Sequence, residues 1–175
     1  MAAYKAIEEM LAAGRTRAIG VANFMEDHLE NLLSQVDVVP AVNQIEVDPY
    51  FSQPELRSLM AERGIATQAW SPIGGVYAYG PKNTSVLEDP VVVELAAKYG
   101  KTPAQVVLRW HIEHGFCAIP KSVKPHRIAE NIDIFDFQLS SDDVDAVDAL
   151  DTGVRGVPEP ASISPATYPY KVDND

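Results

Sequence analysis

Apolar residues recur at Tyr4, Ile7 and Leu11, the spacing of one helix face, and Gly14 supplies the left-handed stop that ends such a helix. Beyond it, short apolar runs alternate with amphipathic stretches. Arg17 to Val21 reads as a buried strand, followed by a helix through Leu29, Leu32 and Leu33. Ala41 to Val47 forms the second strand. Ser52-Gln53-Pro54-Glu55 then opens a helix as a capping box, serine hydroxyl and glutamate carboxylate satisfying free backbone N–H groups, and Gly64 closes it. The third strand runs from Ile65 to Trp70 and leads into a loop rich in Gly, Pro, Tyr and Asn from Ser71 to Leu87. A loop of that length is usually functional or mobile.

Asp89-Pro90 starts a helix that ends before Gly100, and Thr102-Pro103-Ala104-Gln105 is a second capping box, for a helix through Trp110. Phe116 to Pro120 forms the fourth strand. Pro125 sits in the first turn of a short helix, and Ser140 or Ser141, with Asp142 and Asp143 behind, caps the last one. Periodicity stops after Leu150, so residues 151–175, with four prolines, are expected to be an irregular tail. The order is a helix followed by four strand-helix units, which indicates an α/β fold with a parallel sheet. An open doubly wound sheet and part of a (β/α)8 barrel both fit.

The 175 residues suffice for one domain and leave no room for a second. The formal charge is −11, and its distribution matters more than its size. Ten acidic and two basic residues fall from Asp133 onward, so the acid belongs mostly to the last helix and tail. A balance of this sign argues against general nucleic-acid binding, which needs a basic face. The single Cys117 allows no internal disulfide, no apolar stretch approaches the length of a membrane span, and Met1 opens into a charged helical pattern; a reduced, cytoplasmic protein is expected. Asn83-Thr84-Ser85 is a glycosylation pattern without a secretory context.

Polar residues gather where the strands end: Asn23 after the first, Asn43 and Gln44 in the second, Ser71 after the third, Lys121 and Ser122 after the fourth. In a parallel α/β fold that end is the functional face, although each residue alone could equally cap a helix. An amide in an apolar strand must be hydrogen-bonded or it costs about 1 to 3 kcal/mol. Side chains alternate along a strand, so one of Asn43 and Gln44 points inward and the other toward helices. Lys121, Lys124 and Arg127, with His126 beside them, cluster around a helix start whose free N–H groups already favour anions; either a phosphate site or a solvated basic face paired with Glu130 accounts for them. His111 and His114 flank Glu113 on one helix but lack a third ligand at metal-site spacing, so they read as helix-surface histidines and no metal is assigned. There is no G-x-S-x-G elbow, no G-x-G-x-x-G after a strand and no G-K-[ST] phosphate loop.

Several segments together resemble the aldo-keto reductases, most of all bacterial members of the 2,5-diketo-D-gluconate reductase type. They are Gly14-Arg15 with Arg17-Ala18-Ile19-Gly20-Val21-Ala22-Asn23-Phe24, Pro40-Ala41-Val42-Asn43-Gln44-Ile45-Glu46, Ala69-Trp70-Ser71-Pro72-Ile73-Gly74, Gly100 to Trp110, and Ile119-Pro120-Lys121-Ser122-Val123 with Arg127, Glu130-Asn131 and Phe135-Asp136-Phe137. Ordered and spaced as they are over residues 1 to about 152, they make chance a poor explanation.

The resemblance implies the C-terminal half, four βα units, of a (β/α)8 TIM barrel that binds NADPH across its C-terminal strand ends and reduces a small carbonyl substrate by hydride transfer. Asn23 and Gln44 would hold the nicotinamide carboxamide, with Ala22 beside them where many relatives place a serine. Trp70 would stack on the nicotinamide ring, and Ser71, Pro72, Ile73 and Gly74 would line the pyrophosphate. Lys121, Ser122 and Arg127, with Val123 and Lys124, would grip the adenosine 2′-phosphate, and Glu130 and Asn131 would bind the adenine. The whole chain would form a partial aldo-keto reductase domain.

The family's catalytic tyrosine, lysine, aspartate and histidine belong to the first four strands, which this chain does not contain, so no catalytic residue is assigned and the chain alone is expected to be inactive. The alternative is a non-catalytic half-barrel that binds NADPH or assembles with itself or with a separate N-terminal half. Both sheet edges are open, and an apolar inner face would favour such pairing. A metal-dependent hydrolase on a similar barrel lacks its ligands.

Overall fold

The computed structural model describes residues 2–74, 85–156 and 159–164; Asn83 and Thr84 of the glycosylation pattern, most of the long loop after Gly74 and the end of the tail lie outside them. Helix α1 (Ala2–Ala12) buries Tyr4, whose hydroxyl donates to the Val38 carbonyl at 2.9 Å, and Tyr4 packs with Ile19 and Leu32 in a small side cluster. Gly14 turns the chain with φ of 67°. The strands are β1 (Gly20–Ala22), β2 (Val42–Glu46), β3 (Ala66–Trp70) and β4 (Cys117–Ala118). Between and after them come α2 (Glu26–Leu33), α3 (Pro54–Glu62), α4 (Pro90–Tyr99), α5 (Pro103–Glu113), α6 (Pro125–Ile132) and α7 (Ser141–Asp148).

All four strands are parallel, and their spatial order is their chain order. Crossovers of one hand that always step the same way keep their helices on one face, whereas a doubly wound sheet must reverse its order. This is therefore a segment of barrel wall. Asn43, Ile45, Thr67 and Ala69 point to the helices and are buried, with Ile45 and Ala69 in a core that includes Leu29, Leu56, Met60, Val106 and Trp110. Gln44, Gln68 and Cys117 share a register and face the other way. That inner face departs from expectation, since its middle row is two amides and a thiol rather than apolar side chains. The Gln44 Nε2 amide donates to Gln68 Oε1, and Gln68 Nε2 donates to the Cys117 sulfur at 3.6 Å.

The caps at Asp89, Thr102 with Gln105, and Ser140 form as expected. The capping box at Ser52 and Glu55 does not. Gln53, left-handed at φ 51°, occupies the N-cap of α3 without a side-chain cap bond, and the Ser52 hydroxyl donates instead to Asp151. A buried serine facing a carboxylate of the tail gains a charge-assisted bond, which outweighs a neutral cap. The first strand also begins later than expected: Arg17 and Ala18 are exposed, and pairing with β2 starts at Gly20. His111 is fully buried in α5, not on a helix surface. Its Nε2 donates to the Pro72 carbonyl at 2.8 Å, so a loop carbonyl turned into the core gives the histidine a reason to be inside.

The start of the tail is seated rather than loose. Thr152 donates through both its N–H and its hydroxyl to the Tyr50 carbonyl, at 3.0 and 2.9 Å, and residues 160–162 form a single 3-10 turn.

Candidate functional site

Backbone strain marks the rim. Asn23 (φ 58°) and Ser71 (φ 49°) hold left-handed conformations directly after β1 and β3, where a side chain normally costs about 1 to 2 kcal/mol per residue. Asn23 is held there from two sides: its N–H donates to the Gln44 carbonyl at 2.9 Å, and its Oδ1 accepts the Trp70 indole N–H at 2.9 Å. The indole, half-buried at the end of β3, is thereby fixed in orientation. Asn43 takes the structural share of the amide pair, its Nδ2 donating to the Phe24 carbonyl at 2.8 Å and its Oδ1 accepting from Phe24 N–H at 3.4 Å. Gln44 is left to the inner face. Ala22 ends β1 beside it, exposed.

Ser71, Pro72, Ile73 and Gly74 form a tight turn, with Gly74 N–H donating to the Ser71 carbonyl at 2.8 Å. Gly74 has φ of 79°, which favours glycine, and a Cβ there would press on a Val86 methyl at 3.1 Å. Two buried titratable groups back this turn. Burial pushes His111 down to about 4, keeping the ring neutral, and its Nδ1 has no partner. Burial pushes Asp48 up to about 7 against the hydrogen bonds it accepts from the Tyr50 and Phe51 backbone.

A cavity of about 790 Å³ runs from Ser71, Pro72 and Ile73 across to Lys121, Ser122, Val123, Lys124 and Arg127, with Glu130 and Asn131 at its far side. Lys121, Lys124 and Arg127 are all exposed, and none pairs with a carboxylate among the described residues; the pairing with Glu130 is not formed. The Lys124 N-cap of α6 makes no side-chain cap bond, and the Ser122 hydroxyl accepts from Lys124 N–H at 3.1 Å. Free backbone donors and three unpaired cations thus converge on one wall, an arrangement suited to a phosphate. The cavity volume lies in the usual range for small-molecule and cofactor sites.

Sequence reasoning missed part of this wall. Ser85, Leu87 and Glu88 line it from the turn before α4, and Thr102, Pro103 and Ala104 from the start of α5. Thr102 serves both as the cap of α5 and as part of this wall, and the capping pattern signals only the first role. Gln68 was also missed, though it stands two residues before Trp70 and so faces the same side. A second cavity, of about 700 Å³, lies against β1 and includes Ala22, Asn23, Phe24, Tyr4 and Pro160. The predicted site residues therefore fall in two groups: Ala22 and Asn23 line this second cavity, while the Ser71 turn and the cationic wall share the larger one. Gln44 and Trp70 sit on the inner face between them. No group of three or more His, Cys, Asp or Glu side chains able to hold a metal occurs among the described residues, and no described helix is long and apolar enough to cross a membrane.

Comparison with known proteins matches the aldo/keto reductase family over residues 1–152. Morphine 6-dehydrogenase of Pseudomonas putida is 49% identical over 170 residues, covering 94% of this chain and 57% of that protein. Glyoxal reductase of Bacillus subtilis is 44% identical, over 90% of this chain and 54% of its own length. Among solved structures, an aldo-keto reductase of Bombyx mori in complex with NADP superposes with a TM-score of 0.82 at 36% identity, covering 88% of this chain and 51% of that one. The chain spans a little over half the length of the curated relatives it matches, and its four-stranded wall corresponds to part of their barrel. The chain belongs to the aldo/keto reductase family.

Proposed function

We propose that this chain supplies the NADPH-binding part of a carbonyl reductase. The observation that carries the reading is the single cavity that joins the Ser71–Gly74 turn to the unpaired cations Lys121, Lys124 and Arg127. Bound there, the cofactor would supply a hydride. Arg127, Lys121 and Ser122 would hold the 2′-phosphate, Val123 and Lys124 would extend the grip, and Glu130 and Asn131 would receive the adenine. The turn would face the pyrophosphate, and Asn23 with Gln44 would fix the carboxamide against the Trp70 indole. The substrate is a small carbonyl compound; relatives named as reductases of glyoxal and methylglyoxal support that class.

Reduction also needs a proton donor, and none of the described tyrosines is placed for it: Tyr4 and Tyr50 spend their hydroxyls on Val38 and Asp89, and Tyr99 on Asp143. With no such donor among the described residues, the chain alone should turn over no carbonyl, since a missing general acid removes about 10²- to 10⁴-fold in rate. Titrating the chain with NADPH and NADH by tryptophan fluorescence tests the binding, and following NADPH absorbance with glyoxal and methylglyoxal tests the activity. Equal affinity for the two cofactors would overturn the 2′-phosphate assignment, and turnover by this chain alone would overturn the division of labour.

A second reading, assembly with an N-terminal half or a second copy, is favoured by α6. Ile128 and Ile132 lie four residues apart on that helix and are 53% and 69% exposed, an apolar stripe at the end of the wall. Sedimentation of the purified chain at micromolar concentration distinguishes a self-assembled species from a monomer awaiting a partner.

A further inference from the structure

Glu46 is the last residue of β2, stands in register with Trp70 on β3, and is 1% exposed. A buried carboxylate at the functional rim requires a partner, and the chain supplies one from 109 residues away. Arg155 Nη1 donates to Glu46 Oε2 at 3.1 Å, and the Gly156 N–H donates to the other oxygen at 3.0 Å. Arg155 Nε pairs with Glu159 at 3.1 Å, and its guanidinium lies 4.6 Å from the centre of the Phe51 ring. At position 156 a Cβ would stand 3.0 Å from the Glu46 oxygen, so glycine lets the backbone come this close. Four residues further on, Pro160 joins Ala22, Asn23 and Phe24 in the wall of the cavity against β1.

We propose that Arg155 is a positioning residue: by pairing with Glu46 it seats the strap formed by residues 151–156 and 159–164 across the strand ends and completes the wall beside Asn23, where the nicotinamide end of a dinucleotide is received. The inference rests on the NADPH reading and goes beyond it. It assigns a role to a segment past residue 152, where the family match stops. Ser52 with Asp151, and Thr152 with the Tyr50 carbonyl, hold the strap's beginning; Arg155 and Gly156 hold its middle. Loss of the middle anchor should therefore loosen Pro160 against Asn23.

The experiment compares two ligands on the full chain: NADPH, and adenosine 2′,5′-bisphosphate, which carries the 2′-phosphate and no nicotinamide. In Arg155→Ala, NADPH should bind about tenfold more weakly while the bisphosphate changes less than about twofold, because only one of them reaches the strap. Amide exchange at Gly156 should rise in the same variant. Removing one partner of a buried pair can unfold a protein, so the double variant Glu46→Gln/Arg155→Ala, which leaves no uncompensated charge, should show the same ligand contrast. Arg155→Lys, which keeps charge without the fork, should fall between. Faster exchange at Gly156 with both affinities unchanged in the folded variants would overturn the proposal, leaving the strap a stabilising element only. Failure of the unmutated chain to bind the bisphosphate would instead sink the cofactor reading.

Discussion

At the ends of β1 to β3 the polar side chains already hold one another: Asn23 carries the Trp70 indole, and Gln44 leans on Gln68. At the α6 end Lys121, Lys124 and Arg127 reach into solvent with no carboxylate partner among the described residues. On the proposed reading the difference matches what each end would recognise. A neutral carboxamide exerts no pull at a distance and rewards only donors and acceptors held in the right direction, which the fixed amides and left-handed Asn23 would supply. A phosphate is felt across roughly a Debye length of 8 to 10 Å, so mobile cations can wait for it at little entropic disadvantage.

The strongest way to break this contrast acts on the turn that joins the two ends. His111 titrates at about 4 in the folded protein against 6.5 ordinarily, so the unfolded chain takes up the proton first. Its contribution to stability is complete above pH 6.5, is lost as the pH falls toward 4, and amounts to about 3 kcal/mol. Asp48, raised from 3.8 to about 7, acts with the opposite sign: the folded protein binds the proton first, so acidification from pH 7 toward 4 stabilises it. Urea unfolding of His111→Gln, which keeps a donor for the Pro72 carbonyl, should show less acid destabilisation than the unmutated chain, and Asp48→Asn should show more. Equal slopes for all three proteins would contradict both burials.

At the cationic end, Arg127→Ala should weaken NADPH by about 1.5 to 3 kcal/mol, the worth of one charge-assisted contact, and leave NADH untouched. Fluorescence titration with both cofactors reads the contrast, and a parallel loss for NADH would mean that the arginine does not meet the 2′-phosphate. At the rigid end, Asn23→Ala should cost about 1 kcal/mol in stability through the lost bond to Trp70 and the left-handed backbone, and Asn23→Gly should recover the backbone share. Urea midpoints separate the two. The smallest effect sharpens the comparison without mutation: raising salt well above physiological strength should lower NADPH affinity a few-fold and barely move NADH. Equal salt dependence would erase the distinction between the ends.

Sequence carried furthest where a local rule decided the outcome. Thr102 with Gln105, Asp89 and Ser140 cap their helices because their other contacts leave the capping oxygen available to the backbone. Ser52 obeys the same rule on paper and breaks it in space, since Asp151 lies within reach of its hydroxyl and is 99 positions away in the chain. The same distance hid Arg155: nothing near it in the tail signals that Glu46, 109 residues earlier, is buried and needs a cation. The burial of His111 is invisible to periodicity, which cannot tell that a loop carbonyl will turn inward to meet it. The strand-end amides and the cation cluster were legible as unusual polarity in apolar surroundings, and family resemblance gave them roles. Their division between two cavities, one against β1 and one between the Ser71 turn and α6, depends on strand order.

The amides of the inner face have a sense of direction. Gln44 donates to Gln68, and Gln68 donates to the sulfur of Cys117. A thiol accepts weakly and also donates weakly, so it holds the row in that sense without enforcing it. With one of its two amide hydrogens committed sideways, Gln44 presents its carbonyl oxygen and one hydrogen to the space before β1. A residue at position 117 that can only donate would turn Gln68 over, and Gln68 would turn Gln44, leaving the same glutamine to offer hydrogens instead. Two strands away from Gln44, on an element two residues long, the side chain at the edge thus bears on which atoms Gln44 presents, without touching it.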